Sequence, residues 1–63
     1  MKVFVNDKPI DIHCRARLRD VFLKYCTLYQ LTYDEQATAH DQWGNEVMHS
    51  GQASKDGKYY INL

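Results

Sequence analysis

No apolar run in this chain comes near the ~20 residues that would span a bilayer. Nor do Met1-Lys2-Val3-Phe4-Val5-Asn6-Asp7 read as a secretory leader, because polar residues arrive before an apolar core can form. Net charge is lacking as well. Eight basic and eight acidic side chains cancel, which removes long-range attraction to nucleic acid or an anionic membrane. Proline occurs once, and the three glycines, Gly44, Gly51 and Gly57, stand singly. There is no internal repeat, low-complexity tract or linker. Cysteine is limited to Cys14 and Cys26, and with no export signal both are expected as reduced thiols in a cytoplasmic protein. A bridge between them meets a geometric objection. With a helix over 18–29, its rise alone separates them by roughly 12 Å, against a usual Cα limit of about 7 Å.

The residues present suit a folded domain. Apolar residues at 44% and charged residues at 25% argue for a globular protein rather than a disordered one. Sixty-three residues make a single domain, 1–63. So short a chain buries only about 60% of its unfolded surface, so the core is expected to be thin.

Periodicity sets the order of elements. Residues 2–6 are β-branched and aromatic, Asn6-Asp7-Lys8-Pro9 has turn chemistry, and Ile10-Asp11-Ile12-His13 alternates apolar with polar. Together they predict a β-hairpin. The period then changes. Leu18, Val21, Phe22, Tyr25, Cys26, Leu28 and Tyr29 fall on one helical face of roughly 160°. Leu23 lies among the polar residues opposite, where single exposed leucines are common. A third strand is expected at Ala37-Thr38-Ala39-His40, then a turn at Asp41-Gln42-Trp43-Gly44-Asn45 and a short strand at Glu46-Val47-Met48. The last strand is read at residues 58–63, with Tyr59, Ile61 and Leu63 on one face and Tyr60 on the other. Hairpin, helix and further strands predict an α+β fold of the β-grasp, ubiquitin-like kind. One helix would cover a small mixed sheet of four to five strands.

The opening Met1-Lys2-Val3-Phe4-Val5-Asn6-Asp7-Lys8-Pro9-Ile10 resembles the first hairpin of ThiS- and MoaD-like proteins, the ubiquitin-related sulphur carriers. The loop and helix of 14–31 match that order. Lys55-Asp56-Gly57-Lys58-Tyr59-Tyr60-Ile61 is similar to the family's closing turn and strand, with Lys58 where an acidic residue is usual. The resemblance implies a β-grasp and, for a carrier, a Gly-Gly end whose carboxylate becomes a thiocarboxylate. Here the sequence reads Tyr60-Ile61-Asn62-Leu63. Such bulky residues do not thread a narrow active site as glycine does, and no carrier residue transfers. The preferred reading is a β-grasp module that does not carry sulphur. The alternative is a sulphur carrier for thiamin or molybdopterin synthesis, seen without its tail.

His13, Cys14, Cys26, His40 and His49 are soft ligands without the paired spacing a zinc knuckle needs. A small metal- or thiol-dependent protein using Cys14 and the histidines is the third reading. It lacks a nameable oxyanion hole or third catalytic member. No catalytic residue, cofactor or metal is assigned. Arg15, Arg17 and Arg19 cluster at the helix start, against the macrodipole, and point to an acidic or phosphate contact or else to a solvated loop. Trp43 is read as a cover over one end of the sheet or as an anchor for a partner. Phe4 and Tyr60 belong on the sheet face away from the helix. The sequence thus leads to a non-enzymatic module with a protein partner, met by Phe4, Arg15, Arg17, Arg19, Trp43 and Tyr60. Self-association through the same face is a variant of that expectation.

Overall fold

A computed structural model describes all residues, Met1–Leu63. Its elements are β1 (Lys2–Val5), β2 (Lys8–Asp11), α1 (Leu18–Leu28), β3 (Ala39–Asp41), β4 (Glu46–Val47) and β5 (Lys58–Ile61). The sheet order is β2-β1-β5-β3-β4, with β1 and β5 parallel and the other pairs antiparallel. One helix over a five-stranded mixed sheet with this order is a β-grasp.

The first hairpin closes tightly. Asn6 and Asp7 take φ +49° and +69° between Val5 and its partner Lys8. A two-residue connection with positive φ at both positions matches the strand twist, and Asn and Asp tolerate it better than most residues. The turn is therefore shorter than expected, and Lys8 and Pro9 belong to β2. Pro9 can do so because of its register. Met1 and Ile12 exchange both backbone bonds, at 2.5 and 2.9 Å, so by alternation Phe4 and its partner Pro9 form a non-hydrogen-bonded pair. The nitrogen of Pro9 then faces outward, where a strand proline is tolerated.

The helix starts without a side-chain acceptor at its N-cap. Arginine cannot accept a bond, so Arg17 makes only half a capping box, donating its backbone N–H to Asp20 Oδ2 at 3.0 Å. Main-chain oxygens of the 48–53 loop satisfy the free end. Leu18 and Arg19 donate to the carbonyls of Gly51 and His49 at 2.8 and 2.7 Å, and Ala53 donates to Ala16. The other end is a Schellman cap: Leu31 N–H bonds Cys26 O at 2.8 Å while Gln30 takes φ +56°.

The core holds Val3, Val5 and Ile10 from the hairpin, Leu18, Val21, Phe22, Tyr25 and Cys26 from α1, and Ala39, Tyr59 and Ile61 from the far strands. Burying each large side chain contributes about 1.5–3 kcal/mol. Several expected core positions prove exposed. Leu28 is 55% and Tyr29 42% accessible, because α1 packs chiefly on β1 and β2 and its last turn has no element over it. Tyr29 instead packs at a tilt against Tyr25 and lies under Lys8 Nζ. Leu63 follows the last strand and is exposed, whereas Tyr59 and Ile61 are buried. Leu23 is exposed as expected. The third strand begins at Ala39 rather than Ala37.

Candidate functional site

The polar and aromatic residues singled out by the sequence fall into separate regions. Phe4 and Tyr60 share the outer sheet face, both half-buried. Tyr60 stacks on its cross-strand neighbour His40, with centroids 5.5 Å apart. Its hydroxyl donates to Asp7 Oδ1 at 3.2 Å. Desolvation, then the bond and charge of Asp7, push the Tyr60 phenol above its ordinary range. Lys58 flanks Phe4 on β5 and Glu46 flanks His40 on β4, so the face is mixed in charge.

The three arginines do not form one patch. Arg17 is spent internally, Nη1 donating to Ser50 O at 2.8 Å. Arg19 borders a recess with Tyr33, Glu35 and His49, and Arg15 is exposed in the turn before α1. The helix amides that could have met a phosphate already bond His49 O and Gly51 O. That recess holds a proton-ordered pair the sequence did not suggest. His49 Nε2 lies 2.7 Å from Ala37 O, which can only accept, so Nε2 carries the proton. In the neutral imidazole His49 Nδ1 then accepts from the Tyr33 hydroxyl at 2.5 Å. Desolvation first, and Glu35 second, raise the Tyr33 phenol. The pair ties the 31–38 connection to the 48–50 loop.

Cys14 is exposed and Cys26 buried, where desolvation pushes the Cys26 thiol up. No three His, Cys, Asp or Glu side chains converge as a metal site.

Trp43 overturns one of its two readings. It is 75% accessible and covers no end of the sheet. It sits in the β3–β4 turn, where Asp41 Oδ1 accepts the Trp43 and Asn45 amides at 3.0 and 2.9 Å. Met48 is 74% accessible. Both line a groove of about 530 Å³ between the β3–β4 turn, the start of α1 and the 51–58 loop. Buried Leu18 and Tyr59 and half-buried Val47 make its floor. Lys55, Asp56 and Lys58 stand on its rim. The short strand expected over 46–48 stops at Val47, so Met48 lies just past it, where alternation no longer fixes which way a side chain points.

Both sheet edges offer few open backbone groups to an added strand. On β2, Pro9 has no N–H to offer, and Lys24 Nζ occupies the outward carbonyl of Asp11. On β4, two residues long, only Glu46 turns its backbone outward, because Asp41 N bonds Asn45 O and the alternation leaves His40–Glu46 unbonded. No helix is long and apolar enough to cross a membrane. No protein-family model, curated protein or solved structure matches the chain.

Proposed function

We propose that this chain is a non-catalytic β-grasp module that binds a protein partner. One observation carries the reading. Trp43 and Met48, two large apolar side chains, stand three-quarters exposed along one groove. Exposed singly, either would need no explanation. Lining one groove, they hold apolar surface in water that packing within one chain has not used, as expected where a partner docks. Tryptophan is also among the residues enriched as interface anchors. The outer face with Phe4, His40 and Tyr60 is a second, more polar region open to a large partner.

The test is site-specific photo-crosslinking in the native host, with benzoylphenylalanine at position 4, 43 or 60 in turn. A discrete, stoichiometric protein adduct from position 43 is expected. Diffuse labelling from all three positions would reject the module reading.

A further inference from the structure

We propose that Tyr33 is a base-assisted nucleophile, a site on this chain that accepts an acyl group from a small, uncharged activated donor. It holds whether or not a partner docks beside Trp43. Three groups in line carry it. The Tyr33 hydroxyl meets His49 Nδ1 at 2.5 Å, and His49 Nε2 meets Ala37 O at 2.7 Å. A carbonyl only accepts, so in the neutral imidazole the proton sits on Nε2 and the basic lone pair of Nδ1 points at the phenol. A nucleophile, a base, and a third group that orients the base form the arrangement that activates hydroxyl and thiol nucleophiles. The imidazole is held by its surroundings too. Phe22 of the core packs edge-on to it, with centroids 5.2 Å apart, and the His49 carbonyl accepts the Arg19 amide at 2.7 Å. A base fixed by packing and hydrogen bonds is already in place when the reaction begins.

The recess of about 360 Å³ that Tyr33 and His49 line sets the class of donor. Arg19, Glu35 and Glu46 border it. One cation against two carboxylates disfavours the polyanions that donate phosphoryl groups. A phenol oxygen is a hard nucleophile, suited to the carbonyl carbon of an activated acyl compound. In the step, Tyr33 Oη bonds that carbon while its proton passes to His49 Nδ1, and the imidazolium keeps its Nε2–H on Ala37 O. The leaving group then departs with its bonding electron pair and takes the proton. An aryl ester and a neutral imidazole remain. Desolvation first and Glu35 second hold the Tyr33 phenol up, against the lowering charge of Arg19. A phenol so raised yields little phenolate, so unaided it would react late. With Nδ1 in place the proton leaves as the new bond forms.

The experiment treats the intact 63-residue chain with N-acetylimidazole and follows each tyrosine by peptide mapping and mass spectrometry. Hydroxylamine, which cleaves aryl esters and spares lysine amides, confirms the site of the ester. By exposure alone Tyr29, 42% accessible, should react before half-buried Tyr33 and Tyr60. The expected result is the reverse, with Tyr33 acetylated about tenfold faster than either, or more. In His49→Asn the amide oxygen can still accept a hydrogen bond from the phenol but is no base. Acetylation of Tyr33 should therefore slow by about 100-fold or more, while Tyr29 and Tyr60 in the same sample keep their rates. A thermal melt checks that the variant folds; if it does not, the order of labelling in the unaltered chain decides alone. Tyr33 reacting no faster than Tyr29 in the unaltered chain would overturn the proposal. So would an unchanged Tyr33 rate in folded His49→Asn, which would leave His49 as a tether between two loops. Neither result bears on the crosslink from position 43, so the partner reading stands or falls separately.

Discussion

Asn6 shows how much one side chain can join. It sits at φ +49°, donates from Nδ2 to Tyr25 Oη and Ile61 O at 3.2 and 3.0 Å, and accepts from Ile61 N at 3.1 Å. It thereby clasps hairpin, helix and last strand. Three bonds worth about 1 kcal/mol each and a left-handed backbone make Asn6→Ala costly, by about 2–4 kcal/mol. For a domain of this length total stability is about 3–9 kcal/mol. Asn6→Gly should lose the bonds but relieve the backbone, so urea titration of the two variants separates the contributions. The cysteines give a second test at this scale. Iodoacetamide should label Cys14 in the folded protein and spare Cys26 until the chain is unfolded. Equal labelling of both under native conditions, read by mass spectrometry, would contradict the burial of Cys26.

Among the elements, the helix end and the β3–β4 turn carry the clearest expectations. Gln30 holds a left-handed position that glycine normally fills. Gln30→Gly should therefore raise stability, by about 0.5–1 kcal/mol, measured by thermal melting. In the turn, partial desolvation pushes the Asp41 carboxyl up, but the amides of Asn45 and Trp43 outweigh it and hold the carboxyl below its ordinary value. With the folded value below the unfolded one, the carboxylate's contribution is complete above the ordinary carboxylate range. It is lost as pH falls through the depressed folded value. Amide shifts of Trp43 and Asn45, followed by NMR, should move with a midpoint below that of a free aspartate. Asp41→Asn keeps an acceptor and should flatten the response. These elements also mark what the sequence made legible. The helix face was readable because a 3.6-residue period survives wherever a side meets the core. Residues such as Leu28 and Tyr29 kept the period after the sheet had run out beneath them. Pro9 hid inside a strand because its tolerance depends on register, which only pairing reveals. Trp43 was conspicuous by type, yet its exposure depends on which way a turn points, and no periodicity encodes that.

The whole molecule is one cooperative unit, since a single cluster of thirteen buried residues draws on both ends of the chain, the helix and the middle. Calorimetry should show one transition with a heat-capacity change of about 0.8–0.9 kcal/mol/K, the per-residue value scaled to this length. Phe22 is fully buried at the centre, and Phe22→Ala should cost about 3–5 kcal/mol. That is most of the available stability, so circular dichroism should show the variant largely unfolded at 37 °C.

The parallel seam between β1 and β5 has a consequence for synthesis. Phe4 N bonds Gly57 O and Asn6 N bonds Tyr59 O, so the middle of the sheet joins residues more than fifty positions apart. A nascent chain can form its hairpin and helix early, but the site between β1 and β3 stays vacant until the final strand leaves the ribosome. Until then the apolar flank of β1 is an open edge, available to chaperones or to another unfinished chain. Folding here is an act of completion rather than of growth, and a ribosome stalled before Lys58 would display a hairpin and a helix with no sheet to close over.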